Sequence, residues 1–339
     1  MKEILKKAGE KIDKARCKVC PVCNGVACCG LIPGMGGLGT GTAFLNNVKS
    51  LAKREFVMKV LHSANTPSSE LELWGRKLSL PVFIAPVGDI AANIGGHLPI
   101  PQYTSLIIKN SIEAGTLASI GDLPGYEPFE GAINTIAGRG KSVIPFIKPW
   151  ADDEFQKKLE LVAKAGCDIV GTDVDCVGLL GLRNCPTPVS VWDGKQLAKI
   201  IKKVHDLKMK YIVKGIMCID DAKTAVESGA DAIIVSNHGG RVLDYTAGAA
   251  DVLESIADAV GKKTIVLADG GIRTGSDVLK MLALGAKAVL ICRPAAISVH
   301  GDEEKGLTTY YNTIKAQLIH SMRLTGCADL ASINKNILI

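Results

Sequence analysis

A closed (β/α)8 barrel, the TIM barrel of the α/β class, is the architecture this sequence predicts, on three observations. First, one pattern recurs. SIEAGTLASIGD (111–122), VAKAGCDIVGTDVD (162–175), AVESGADAIIVSNHGG (225–240) and MLALGAKAVLICRP (281–294) each run from a helical end through a glycine into a short strand rich in β-branched residues. Second, further apolar runs at PVFIAP (81–86), SVIPFIK (142–148), KYIVKGI (210–216) and KTIVLADGGI (263–272) bring the strands to eight. Continuous apolar strands belong to a parallel sheet covered on both faces. Third, eight such units over about 250 residues fit a closed barrel better than an open doubly wound sheet.

Taken in order, residues 1–16 (MKEILKKAGEKIDKAR) form a charged amphipathic helix without a signal peptide's apolar centre. A cysteine-rich stretch follows at 17–30, then the turn GMGGLG (34–39) and a helix predicted over TAFLNNVKSLAKREFVMKVL (42–61). Residues 1–65 read as a Cys-rich cap and residues 66–339 as the barrel, whose first strand begins after residue 80. Gly115, Gly166, Gly229 and Gly285 sit where a helix C-terminus wants a residue able to take positive φ. A last helix starts near Thr308. GMGGLG matches G-x-G-x-x-G in form only, since no strand precedes it, and it reads as a turn over the barrel mouth.

The 339 residues carry a net charge of +6 with both signs interspersed, which suits an anionic small ligand and lacks the basic runs of a nucleic-acid surface. No uncharged apolar run reaches about 18 residues, so no spanning helix is expected. Eleven cysteines without a signal read as reduced thiols or metal ligands in a cytoplasmic protein.

Active sites of this fold form at the C-terminal strand ends. DGGIR (269–273) and CRP (292–294) end the seventh and eighth strands, the usual phosphate site. Glycine backbone can approach a phosphate closely, and Arg273 and Arg293 can clamp its oxygens. Lys214 ends the fifth strand, where a cation needs an anionic partner; it could stabilise the negative charge of a reduced flavin ring, act as a base, or simply pair with a carboxylate such as Asp269. The sixth strand runs into SNHGGR (236–241). His238 can accept a proton near neutral pH, and Arg241 offers a planar fork for a carboxylate.

KGIMCIDDAKTAVESGADAIIVSNHGGRVLDY followed by LADGGIRTGSDVLKMLALGAKAVLICRP resembles the FMN-dependent 2-hydroxy-acid oxidase and dehydrogenase family, which includes glycolate and lactate oxidases. The likeness is strong over 210–330, fair over 66–175, and weak before residue 60 and between 176 and 200. It implies His238 as catalytic base and Asp175 as the carboxylate that orients it. It implies Arg241 as the clamp on the substrate carboxylate and Lys214 beside the flavin N1 and O2. Asp269, Gly271, Arg273, Cys292 and Arg293 would hold FMN at its phosphate end, and Ala85, Pro86 and Val87 would lie against the ring. Asp173 and Ser236 join the cofactor set. The resemblance also implies a homo-oligomer, a tetramer, with oxygen or an electron-acceptor protein as the oxidant.

Several positions depart from the family pattern. Its Gln at the third strand end and the substrate-binding Tyr two residues on are Phe146 and Lys148 here. Its Thr before the orienting Asp becomes Asp173, its Gly before Arg-Pro becomes Cys292, and the Arg of its next segment is missing from CVGLLGLR (176–183). Lys148 would thus bring a second cation to an acidic substrate. The expected activity is FMN-dependent oxidation of a 2-hydroxy acid. An FMN isomerase or reductase acting on another acid, and a flavin electron-transfer subunit without turnover, remain alternatives.

CKVCPVCNGVACCG (17–30) sets Cys17, Cys20, Cys23 and Cys28 at spacings close to those of metal thiolates, and its first three cysteines resemble a ferredoxin run. The alternatives are an iron–sulfur cluster, a zinc ion, a redox-active thiol pair or plain reduced cysteines.

Overall fold

The computed structural model describes residues 1–31, 35–182, 185 and 188–339. Gly34 of GMGGLG and Arg183 of CVGLLGLR lie outside the described residues.

Two short strands, β1 (Leu71–Leu73) and β2 (Arg76–Leu78), form an antiparallel hairpin turned by Trp74 and Gly75, both at positive φ. The barrel strands follow: β3 (Val82–Ile84), β4 (Ala118–Ile120), β5 (Val143–Pro145), β6 (Ile169–Asp173), β7 (Lys210–Ile216), β8 (Ala232–Val235), β9 (Ile265–Ala268) and β10 (Ala288–Ile291). All eight lie in the runs read from the sequence. Six of them pair in the order β3-β10-β9-β8-β7-β6, and β4 pairs with β5, every pairing parallel. A parallel bridge from Phe146 to Gly171 joins β5 to β6. Between β3 and β4 the Thr116 hydroxyl donates to Val82 O at 2.7 Å.

Alternate side chains on each strand face opposite ways. Phe83, Ile144, Ile212, Ile234, Leu267 and Leu290 fill the barrel interior, with Leu71, Leu73 and Leu78 of the hairpin packed into the same cluster. The opposite set, including Val82, Ile84, Val213, Val235 and Val289, packs against the helices. Gly115, Gly166, Gly229 and Gly285 all take positive φ just past helix ends. This is the repeated helix–glycine–strand unit in three dimensions.

The first helix runs Lys2–Lys11 and the C-terminal one Gly306–Thr325. The helix predicted over 42–61 stops at Ala52. Beyond it Phe56 forms an antiparallel bridge with Leu338, and Val57 N donates to Ile337 O at 2.9 Å. The chain there is tied by extended pairing, a tertiary partner that helical periodicity does not encode. Among the described residues no helix is long and apolar enough to cross a membrane.

Candidate active site

The strand ends open into one cavity of about 250 Å³. Its wall includes Ala85, Pro86 and Val87 after β3, Lys148 after β5, Asp173 and Lys214, His238 and Arg241 after β8, Asp269 to Arg273 after β9, and Cys292 and Arg293 after β10.

Asp173 and Lys214 are register partners on β6 and β7. Neighbouring side chains on parallel strands meet, and Lys214 Nζ lies 2.7 Å from Asp173 Oδ1 and 3.9 Å from Asp269 Oδ2. Burial works against the ammonium charge, but Asp173, Asp175 and Asp269 outweigh it and hold Lys214 above its usual pKa. The carboxylate partner weighed for Lys214 is therefore present, though it is chiefly Asp173 and only secondarily Asp269.

The SNHGGR loop turns sharply. His238 takes φ 57°, an uncommon state for a residue with a side chain, and Gly239 and Gly240 follow at 65° and 80°. This run of left-handed residues sets the imidazole at the cavity wall. His238 Nδ1 lies 3.0 Å from Asp175 Oδ1. Asp175 stands behind the ring, in a place opened by Gly215, where a Cβ would lie 2.6 Å from the Asp175 Cβ. With Nδ1–H donated to Asp175, Nε2 is the nitrogen left to take a proton. Burial first, and Lys214 second, push the His238 pKa well below its usual value, so the ring is neutral at pH 7. Burial raises Asp175 to about 6.

Arg241 donates through Nη2 to Asn93 Oδ1 at 2.5 Å, while its buried Nε has no partner. Burial, with Arg293 nearby, lowers its pKa to about 10, which leaves it charged. Lys148 also faces the cavity, its ammonium donating to Asp122 O at 2.6 Å.

Arg293 and Arg273 both lie over the Phe44 ring, with guanidinium carbons 4.4 and 5.8 Å from its centroid. Arg293 Nη2 donates to Gly239 O, and Arg273 Nε to Cys23 O at 2.8 Å. Gly270 and Gly271 take φ 100° and 80°. Ser236, placed by sequence in the cofactor set, is fully buried and does not line the cavity. It accepts from His238 N at 3.1 Å and bonds the Asp269 carboxylate, so it braces two site residues from behind.

The residues present fit FMN. Two arginines, a glycine turn and Lys214 line the cavity, and the buried Asp269 Oδ1 lacks a partner. The model of the FMN-dependent dehydrogenase family matches residues 35–184 and 187–339. The chain belongs to the FMN-dependent dehydrogenase family. Among its relatives, L-lactate dehydrogenase of Caulobacter vibrioides is 49% identical over 139 residues, 41% of this chain and 36% of that protein. The match thus spans about a third of that relative's length. Peroxisomal (S)-2-hydroxyacid oxidase GLO3 of Arabidopsis thaliana is 44% identical, with 86% of each chain covered. A mandelate oxidase variant solved with an FMN monooxide adduct superposes with a TM-score of 0.73 at 27% identity, covering 91% of this chain and 96% of that one.

Within this FMN-dependent dehydrogenase fold, sequence reasoning missed the cap's contribution. Asn47 donates through Nδ2 to Asn237 Oδ1 at 2.7 Å and accepts from Ala249 N at 2.9 Å, tying the helix Thr42–Ala52 to the His238 loop. Asn93 and Phe44 were missed as well. None carries a local motif; each matters through a partner more than a hundred positions away.

Among the described residues the one trio of metal-binding types whose ligand atoms lie within 4.8 Å of one another is Asp173, Asp175 and His238. Lys214 and Arg241 flank it as cations, so the trio reads as the site's own charge network. Among the described residues the cysteine sulfurs do not gather into a single-ion site.

Proposed function

We propose that this protein oxidises a 2-hydroxy acid to the 2-oxo acid with FMN as its cofactor, and that a small acidic substrate enters the cavity between Lys148, His238 and Arg241. The observation that carries the reading is the His238–Asp175 pair at 3.0 Å, with the ring in the same cavity wall as Arg241. FMN, when bound, supplies the two-electron acceptor. Arg241 binds the substrate carboxylate through its fork, its unpartnered Nε included. His238 Nε2 takes the proton that leaves the substrate, and Asp175 stabilises the imidazolium that results. Lys214 offers positive charge where the reduced ring gains negative charge, with Ala85 to Val87 forming the wall beside it. Arg273, Arg293 and the Asp269–Gly271 turn hold the phosphate end. Lys148 adds a second cation in place of a neutral hydrogen-bonding group.

The test is a visible spectrum of the flavin-loaded protein, taken without oxygen, before and after short-chain, aromatic and dicarboxylic 2-hydroxy acids are added. We expect one of these classes to bleach the flavin within the mixing time. His238→Asn should retain flavin and slow bleaching roughly a hundredfold or more. A flavin that no 2-hydroxy acid bleaches, but that an added electron carrier reduces, would sink the reading in favour of an electron-transfer subunit.

A further inference from the structure

The cap carries five cysteines that the chemistry above does not use. Cys29 is accounted for by local structure: its thiol donates to Thr40 O at 2.9 Å, and Gly41 packs against its sulfur. The other four, Cys17, Cys20, Cys23 and Cys28, keep a C-x2-C-x2-C-x4-C spacing, and all four thiols are free. Cys17 and Cys28 are buried and Cys20 and Cys23 half-buried.

The segment that bears them has neither helix nor strand, only turns. Yet its course is fixed against the rest of the cap and against the barrel. Cys23 O accepts from Arg273. Gly25, at φ 83°, lies so close to the Phe44 ring that a Cβ would stand 2.3 Å from it. Gly36 backs onto the Cys28 carbonyl, where a Cβ would lie 2.5 Å away. A turn-only segment with little core of its own is the kind of chain that a bound metal centre organises.

Among the described residues the sulfurs are not drawn together as a single ion would need. A lone zinc ion with bonds of roughly 2.3 Å needs its sulfurs about 3.8 Å apart. Among the described residues, no three cysteine sulfurs lie within 4.8 Å of one another. A four-iron cluster spreads its thiolates, since each binds a different corner.

We propose that Cys17, Cys20, Cys23 and Cys28 hold a [4Fe–4S] cluster seated against the Arg273–Arg293 pair. Its redox role, unlike its existence, rests on the FMN reading above. The acid loses two electrons and two protons on becoming the 2-oxo acid. The protons pass to solvent, and the electrons leave FMN one at a time through the cluster to a one-electron carrier protein.

The test is made on the full chain, expressed with iron and purified without oxygen. Iron, zinc and acid-labile sulfide are counted per chain, and EPR spectra are taken after dithionite. The expected result is roughly four iron and four sulfide per chain with a reduced-cluster signal. Cys20→Ser and Cys23→Ser should each lose the iron and keep the flavin, and Cys29→Ser should keep both. Should the serine variants fail to fold, the wild-type iron count and EPR still decide. Iron-free protein, or zinc in place of iron, overturns the proposal. If a 2-hydroxy acid bleaches the flavin while the cluster signal stays absent, the electron route is wrong and the site stands. If dithionite reveals the cluster but no acid bleaches the flavin, the substrate reading has failed and the cluster has not.

Discussion

At the residue scale the position that most separates this site from its family's pattern is Asp173. Its carboxylate lies 2.7 Å from Lys214, the cation whose charge would favour a reduced, anionic flavin. A buried carboxylate beside that lysine offsets part of its charge. Asp173→Thr should therefore raise the midpoint potential of bound FMN, by roughly 30 mV for each 1.4 kcal/mol of repulsion removed. Dye-equilibrated reduction measures it, and an unchanged or lower potential refutes the argument. The neighbouring pair gives a pH prediction. Burial raises Asp175 to about 6 and pushes His238 well below its usual value. Above pH 6 the carboxylate is ionised and the ring neutral, the forms that proton abstraction needs. Below it the pair takes up a proton, and kcat/KM should fall with an apparent pKa near 6 that belongs to the pair. Asp175→Asn should remove that limb and lower kcat roughly a hundredfold or more. A limb retained at the same pH in Asp175→Asn would assign it elsewhere.

At the scale of elements, the helix Thr42–Ala52 packs against the Gly270–Gly271 turn and is tied to the His238 loop. Gly270 and Gly271 sit so close to Asn47 that a Cβ on either would stand 2.7 and 2.3 Å from Asn47 oxygens. The glycines of DGGIR were read as room for a phosphate; they are also room for this helix. Asn47→Ala removes bonds to Asn237 and Ala249 in a buried setting. The unpaired groups left behind should cost about 1–3 kcal/mol and speed flavin release. Urea unfolding and the rate of flavin loss measure the two effects, and a variant that unfolds earlier but keeps flavin as tightly would separate the helix from cofactor retention. The strands were legible because burial on both faces makes them continuous apolar runs, and the helix ends because Gly115, Gly166, Gly229 and Gly285 mark them. The end of the cap helix at Ala52 was not, because it is set by pairing with residues 337–339. The hairpin β1–β2 carries a signal too, the alternation of LELWGRKL around a two-residue turn, but its three-residue strands are too short to stand out beside the apolar barrel runs.

At the scale of the whole molecule, the barrel is least well laddered around β4 and β5, which pair only with each other as strands. A buried polar knot reinforces that arc. Asp122, just past β4, accepts from Lys158 Nζ at 2.6 Å, from Lys148 N at 3.0 Å and from the Trp150 indole. Lys158 is fully buried, bonds Leu123 O at 2.7 Å and lies over the Trp150 ring at 4.8 Å. Nothing in the sequence singles out Lys158, because it stands in a helix, Asp152–Lys164, among other lysines. Its burial follows from which helical face meets Phe129 and Trp150. The same Asp122 also receives the Lys148 ammonium on its carbonyl, so the knot that closes the barrel orients a cation of the site. Breaking one partner of a buried pair leaves the other charge uncompensated, at a cost of roughly 3–5 kcal/mol. Lys158→Met should destabilise the protein toward the lower end of that range, since Asp122 keeps its backbone and indole donors. Adding Asp122→Asn should restore part of the loss, because the fully buried one of the two stranded carboxylates is then gone, Glu154 at 3.3 Å being the other. Urea midpoints of the two single variants and the double variant form the cycle, and purely additive effects would mean that the pair does not act as a unit.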